Sequence, residues 1–136
     1  MTSPRARYLL SAIASLLLLA VASGCGNDPV SPGRDWQVNN APDTFQFQAT
    51  AMENYTTTLQ YSWSNSGTTA NVDQSSSVSD GSASLTLRDA NGTQVYSRNL
   101  GQNGSFSSAA GTSGTWTVTV TMSKTTGTLN FRAQKP

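Results

Sequence analysis

From residue 36 onward the sequence predicts an all-β fold: an antiparallel β-sandwich of about eight strands, jelly-roll or immunoglobulin-like in order. Three observations carry this. Apolar residues recur at every second position in one segment after another. Turn-forming residues interrupt those segments every 8–12 residues or so, the spacing of small sandwiches. No stretch after residue 25 has a helical period. Charged residues are only 11% of the 136, yet Thr is abundant between the apolar positions, and its branched Cβ suits a pleated surface.

Taken in order, Trp36 and Val38 alternate and predict a short first strand, which Asn39–Asp43 turns into the domain. Phe45, Phe47, Ala49 and Ala51 face one way, with Gln46, Gln48 and Thr50 between them. Met52–Tyr55 reads as a turn. Leu59, Tyr61 and Trp63 then face inward, and Asn65–Gly67 turns again. Ala70 and Val72 mark a weaker strand. Asp80–Gly81 opens the segment Ala83, Leu85 and Leu87. Asp89-Ala90-Asn91-Gly92 is a hairpin turn, since Asp caps such a turn through its side chain and Asn-Gly tolerates positive φ. In the returning strand, Val95 and Tyr96 cannot both face the core of a regular ladder. Either a bulge or an exposed Tyr96 is expected. Phe106 anchors a short strand. Trp116, Val118, Val120 and Met122, alternating with Thr115 to Thr121, form the strongest strand. Lys124–Gly127 reads as a turn, and Leu129, Phe131 and Ala133 finish the chain. Trp63 and Trp116 are the expected centres of the core.

The first 25 residues follow another logic. Arg5 and Arg7 precede Leu9–Ala22, which is apolar apart from Ser11 and Ser15. Fourteen helical residues span about 21 Å, too short for a bilayer core of about 30 Å. This predicts a signal-peptide helix, not a permanent span. Ala20-Val21-Ala22 also fits ordinary secretory cleavage, which would release a soluble protein. The segment Val21-Ala22-Ser23-Gly24-Cys25, however, resembles the lipobox of bacterial lipoproteins. The resemblance implies that residues 1–24 are removed and that Cys25, the only cysteine, is lipidated and becomes the first residue. The predicted organisation is a signal peptide (1–24), a lipidated cysteine with a flexible tether (25–35) and a β-sandwich domain (36–136). Gly26-Asn27-Asp28-Pro29 and Pro32-Gly33 make the tether breaker-rich. Gly26 replaces the Asp that commonly marks inner-membrane retention, which favours the outer membrane of an envelope that has two.

Within the domain, residues 81–92 (Gly-Ser-Ala-Ser-Leu-Thr-Leu-Arg-Asp-Ala-Asn-Gly), then Gly114-Thr-Trp-Thr-Val-Thr-Val120 and Gly127-Thr-Leu-Asn-Phe131, resemble bacterial pre-peptidase C-terminal-type domains. That resemblance, over about residues 81–133, implies a jelly-roll sandwich with an accessory, non-catalytic role. Members of that family often carry acidic residues where this chain has Ser82 and Ser84, which speaks against an inherited metal site.

The chain has no histidine, so Ser-His and Cys-His nucleophilic mechanisms are excluded. The lone thiol and absent imidazoles exclude an ordinary zinc site. Asp89 and Asn91 offer two oxygen side chains in one turn, but the other acidic ligands of a calcium loop are missing, and a plain hairpin turn is preferred. Without the signal segment the chain has six basic and seven acidic residues and no basic cluster, so a nucleic-acid partner is not expected. No catalytic, metal or cofactor residue is assigned. Trp36, Tyr55 and Tyr96 are the candidates for an exposed ligand surface, because the remaining aromatics fall in phase with the core. The sequence predicts a non-enzymatic protein held at the cell envelope by a lipid anchor, with an envelope protein or a glycan as partner. A sugar-binding module and an accessory subunit of an envelope complex are the alternatives.

Overall fold

Branched and aromatic side chains at alternate positions favour extended backbone. Residues 35–136, which the computed structural model describes, contain seven strands and no helix. They are β1 (Asp35–Ala41), β2 (Thr44–Asn65), β3 (Asn71–Gln74), β4 (Ser77–Arg88), β5 (Gln94–Asn99), β6 (Gly104–Ser107) and β7 (Gly114–Gln134). Every pairing between them is antiparallel. The signal segment, Cys25 and the tether as far as residue 34 lie outside the described residues.

β2 and β7 pair along almost their whole lengths, Thr44 with Gln134 at one end and Asn65 with Gly114 at the other. They do not run straight. Phe45 and Tyr61 both belong to β2, and a straight strand would set them about 53 Å apart. Their ring centroids are 5.4 Å apart, so the strand doubles back. The hydrogen-bonded sheet is therefore folded into two layers. One layer runs β1, the first part of β2, the last part of β7, β3 and β6. The other runs the last part of β2, the first part of β7, β4 and β5.

The fold line crosses three neighbouring strands. In β2 it passes Ala51 and Asn54, in β7 Lys124 and Gly127, and in β4 Gly81, all at positive φ. Register shifts lie between Ala49 and Thr57 in the β2–β7 ladder and between Val78 and Ser82 in the β4–β7 ladder. Bulges of this kind bend a strand and raise its twist, which lets one strand serve two layers. They also leave backbone groups without ladder partners, and threonine hydroxyls take several of those places. Asn54 N donates to Thr126 Oγ1 (2.9 Å), Lys124 N to Thr56 Oγ1 (2.9 Å), and Thr125 Oγ1 to the Ser82 carbonyl (2.6 Å).

Between the layers the core is aromatic. Phe131 stacks against both Phe45 and Phe47, at 6.0 and 5.4 Å. Trp63 and Trp116 are register partners and meet edge to face at 5.9 Å, both fully buried. Each indole N–H is satisfied, Trp63 donating to the Ala41 carbonyl and Trp116 to the Thr112 carbonyl. Leu85, Leu87, Val118, Val120 and Leu129 fill the remainder.

Four sequence expectations change. The segments at Met52–Tyr55 and Lys124–Gly127 are bends within strands, not chain reversals, and Asp80–Gly81, expected to open a strand, is a bend inside β4. Positive-φ residues serve both purposes, and the deciding factor is a partner strand that continues on the far side. This reduces about eight strands to seven. The bulge also moves the alternation, so Met52 is buried and Ala51 exposed. The first strand runs on to Ala41, and only Pro42 and Asp43 make the turn. Finally, Tyr96 is buried. The bulge that the sequence offered as one alternative sets Leu87 opposite Tyr96 and Arg88 opposite Gln94, which leaves Val95 as the extra residue and lets Val95 and Tyr96 both face inward.

Gly81 and Gly127 are where the fold line admits no side chain. A Cβ on Gly81 would lie 2.0 Å from the Lys124 carbonyl oxygen, and one on Gly127 would lie 2.1 Å from that of Ser77. Gly92 also has positive φ, but nothing lies within 4 Å of its Cβ position. Urea denaturation should therefore find Gly81→Ala and Gly127→Ala destabilised by about 3 kcal/mol or more. Gly92→Ala should lose only about 1 kcal/mol. Equal losses at all three would contradict the fold line.

Candidate functional site

Two regions follow from the sequence candidates: the flank formed by β1 and β2, and the turn at Asp89. In the first, strand alternation assigns side chains to opposite faces. Trp36, Val38 and Asn40 share the inward face with their register partners Ala49, Phe47 and Phe45. Gln37 and Asn39 share the outward face with Gln48 and Gln46. Trp36, Gln37, Val38, Asn39, Gln46 and Gln48 line a groove of 460 Å³ along this edge. Such a volume suits a small ligand, and the lining offers amide donors and acceptors in cross-strand pairs.

The structure brings Trp36 and Tyr55 together, edge to face, with centroids 5.5 Å apart. Trp36 also meets Phe47 at 5.8 Å. Both residues are half-buried. Tyr96 is 6% exposed and belongs to no ligand surface. Its hydroxyl donates to Gln74 Oε1 at 2.5 Å, while Gln74 Nε2 donates to the carbonyls of Asn99 and Gln102. Burial pushes the Tyr96 phenol above its ordinary pKa. Cys25 lies outside the described residues. Gln46 and Gln48 were readable as outward positions, but Asn39 read as part of a turn, and nothing in the sequence joined β1 to β2 in this register.

At the second region the carboxylate is fully engaged by backbone. Asp89 Oδ1 accepts from the N–H groups of Asn91 (3.0 Å) and Thr93 (2.9 Å), and Oδ2 accepts from Thr112 N–H (2.9 Å). The Asn91 amide donates to Thr112 Oγ1. N–H donors thus surround the oxygens that a cation would need, and the turn is a clasp between the β4–β5 hairpin and the loop before β7. No group of three or more Asp, Glu, Cys or His side chains gathers among the described residues.

Two more carboxylates do similar work. Asp43 accepts from Ser66 N–H (2.7 Å) and Ser66 Oγ (2.9 Å), and Asp73 accepts from Ser105 Oγ (2.6 Å) and the Arg132 guanidinium (3.2 Å). Donated hydrogen bonds hold all three acids below the ordinary carboxylate pKa: chiefly from Thr112 N–H at Asp89, Ser66 N–H at Asp43 and the Ser105 hydroxyl at Asp73. A second, smaller groove of 300 Å³ lies beside Asp73 and Ser105, with the Arg98 guanidinium 3.8 Å from the centre of the Phe106 ring.

No family model matches the chain, and no curated protein matches it. Among solved structures, the chain is similar to one in the crystal structure of accessory secretory protein 1, 2 and 3 in Streptococcus pneumoniae. That match has 13% identity and a TM-score of 0.37, and covers 82% of this chain and 91% of the other. It is also similar to part of an arabinose-bound α-L-arabinofuranosidase, with 13% identity, a TM-score of 0.34, and 78% of this chain against 22% of the enzyme. None of these transfers an activity to this chain.

The depressed acids fix a pH response. A carboxylate whose pKa is lower folded than unfolded stabilises the fold above its unfolded value, about 3.9, and loses that contribution as pH falls through the folded value. Melting temperature should therefore hold from neutrality down to about pH 4 and fall below it. Asp89→Asn should melt lower than the parent at pH 7, and the gap should narrow below pH 4. A gap independent of pH would show that the Asp89 charge is not what holds the clasp.

Proposed function

We propose that this chain is a lipid-anchored protein of a bacterial cell envelope, and that its β-sandwich acts by contact and not by catalysis. The observation that carries the reading is the position of Cys25, directly after small residues that close a short apolar segment. A thiol-linked diacylglycerol with a further acyl chain on the new amino group gives stable attachment, since each buried CH₂ contributes about 0.8 kcal/mol and two chains suffice. The resemblance of residues 81–133 to pre-peptidase C-terminal-type domains supports an accessory role. So do the three carboxylates tied up in loop clasps, which leaves them without the freedom a general acid or base needs. Gly26 supports the outer membrane where the envelope has two. An envelope protein is the partner class this reading favours.

The test is metabolic labelling with a fatty acid in a lipoprotein-processing host. The parent takes the label and Cys25→Ser does not. An unlabelled parent, or a labelled Cys25→Ser, overturns the anchor.

A second reading has its own observation, the amide-lined groove beside Trp36. Paired amides suit sugar hydroxyls, and the edge of a half-exposed indole suits a sugar's apolar face. Calorimetric titration with soluble envelope glycans should then give binding that Gln48→Ala weakens at least tenfold. No heat from any glycan rejects this reading.

A further inference from the structure

The two layers are unequal in width. The first has β1 at its edge, one strand beyond β2. The second ends at the last part of β2, and among the described residues no strand pairs there on its open side. β1 therefore overhangs. It pairs with β2 alone, is tied at Asn40 and Ala41 to Ser62 and Trp63 in the far part of β2, and leaves Val38 in its middle open. Val38, which the alternation points inward, is 40% exposed and is the large apolar residue most open to solvent among those described. Around Phe47, the register partner of Val38, Trp36 and Tyr61 are only partly buried, as is Tyr55 against Trp36.

We infer that this flank rests on the lipid surface, with Trp36 and Val38 at the boundary between headgroups and acyl chains. The inference depends on the lipid anchor proposed above. Three observations select lipid as the occupant. The first is chain length. Ten residues separate Cys25 from Trp36, a reach of at most about 35–40 Å. The flank is thus the part of the described fold covalently nearest the anchor. An anchored chain meets the membrane at high effective concentration, so an apolar face too weak to bind alone is enough.

The second is charge. Between residues 35 and 65 only Asp35, Asp43 and Glu53 are charged; Asp35 stands at the very start of β1, and the Asp43 carboxylate is occupied by Ser66. Bringing the flank to the interface therefore desolvates little charge. The third is residue type. Trp and Tyr bring an apolar body with a polar tip, the combination favoured at membrane interfaces.

Tryptophan fluorescence tests this in the full chain. The lipidated protein is placed in phosphatidylethanolamine–phosphatidylglycerol vesicles, with part of the acyl chains brominated near the headgroup. The chain's other tryptophans, Trp63 and Trp116, are fully buried in the core. The bromolipids should quench a share of the parent's emission that Trp36→Phe does not show. Val38→Asp should reduce that quenching while melting at the parent's temperature. With Cys25 shown to be acylated, equal quenching of the parent and Trp36→Phe overturns the inference and leaves the anchor standing. Protection of Trp36 that grows with protein concentration in detergent overturns it too, and gives the flank to a second copy. An unmodified Cys25 removes the anchor and the flank's lipid contact together.

Discussion

Everything in this domain depends on a crease across one sheet. The chain has one cysteine, so no internal disulfide can staple the domain, and no three Asp, Glu, Cys or His side chains gather among the described residues. It must build two layers from packing alone. It does so by bending three adjacent strands at the same level, so that β2 and β7 supply both layers and the aromatic core closes between their halves. The crease works because Gly81 and Gly127 let backbones approach, and because Thr56, Thr125 and Thr126 take up backbone groups that leave the ladder. A bulge without such partners would strand polar groups next to the core.

The threonine content thus has two roles. In the regular ladders it fits the pleat and faces outward. At the crease its hydroxyls replace main-chain partners. The carboxylates are similarly structural: Asp43, Asp73 and Asp89 each join segments far apart in sequence through donated hydrogen bonds. Charges are few, and three of the seven acids are engaged in these clasps.

Much of this was legible in the residues. Strict alternation at Phe45, Phe47, Trp63, Trp116 and Val118 gave the strands and the core, because burial follows the period of the pleat. The Asp89–Gly92 hairpin was readable because its chemistry is local. The crease was seen at the right places but read as turns. Asn54, Gly81 and Gly127 announce positive φ without saying whether the chain reverses or bends, and only pairing across distant sequence decides that. At Tyr96 the sequence offered a bulge or exposure and could not choose, because the Gln74 side chain that satisfies the buried hydroxyl is 22 residues away. The overhang of β1 was invisible for the same reason, since strand counts in two layers are a property of topology.

The account ties a creased, low-charge β domain to a lipid surface through one cysteine. Intact-mass analysis of the mature protein, extracted from the envelope with detergent, tests that most directly. The account predicts a chain beginning at Cys25 and heavier than the polypeptide by a diacylglyceryl group and one further acyl chain. A chain that begins elsewhere, or that carries a free thiol at Cys25, would contradict it.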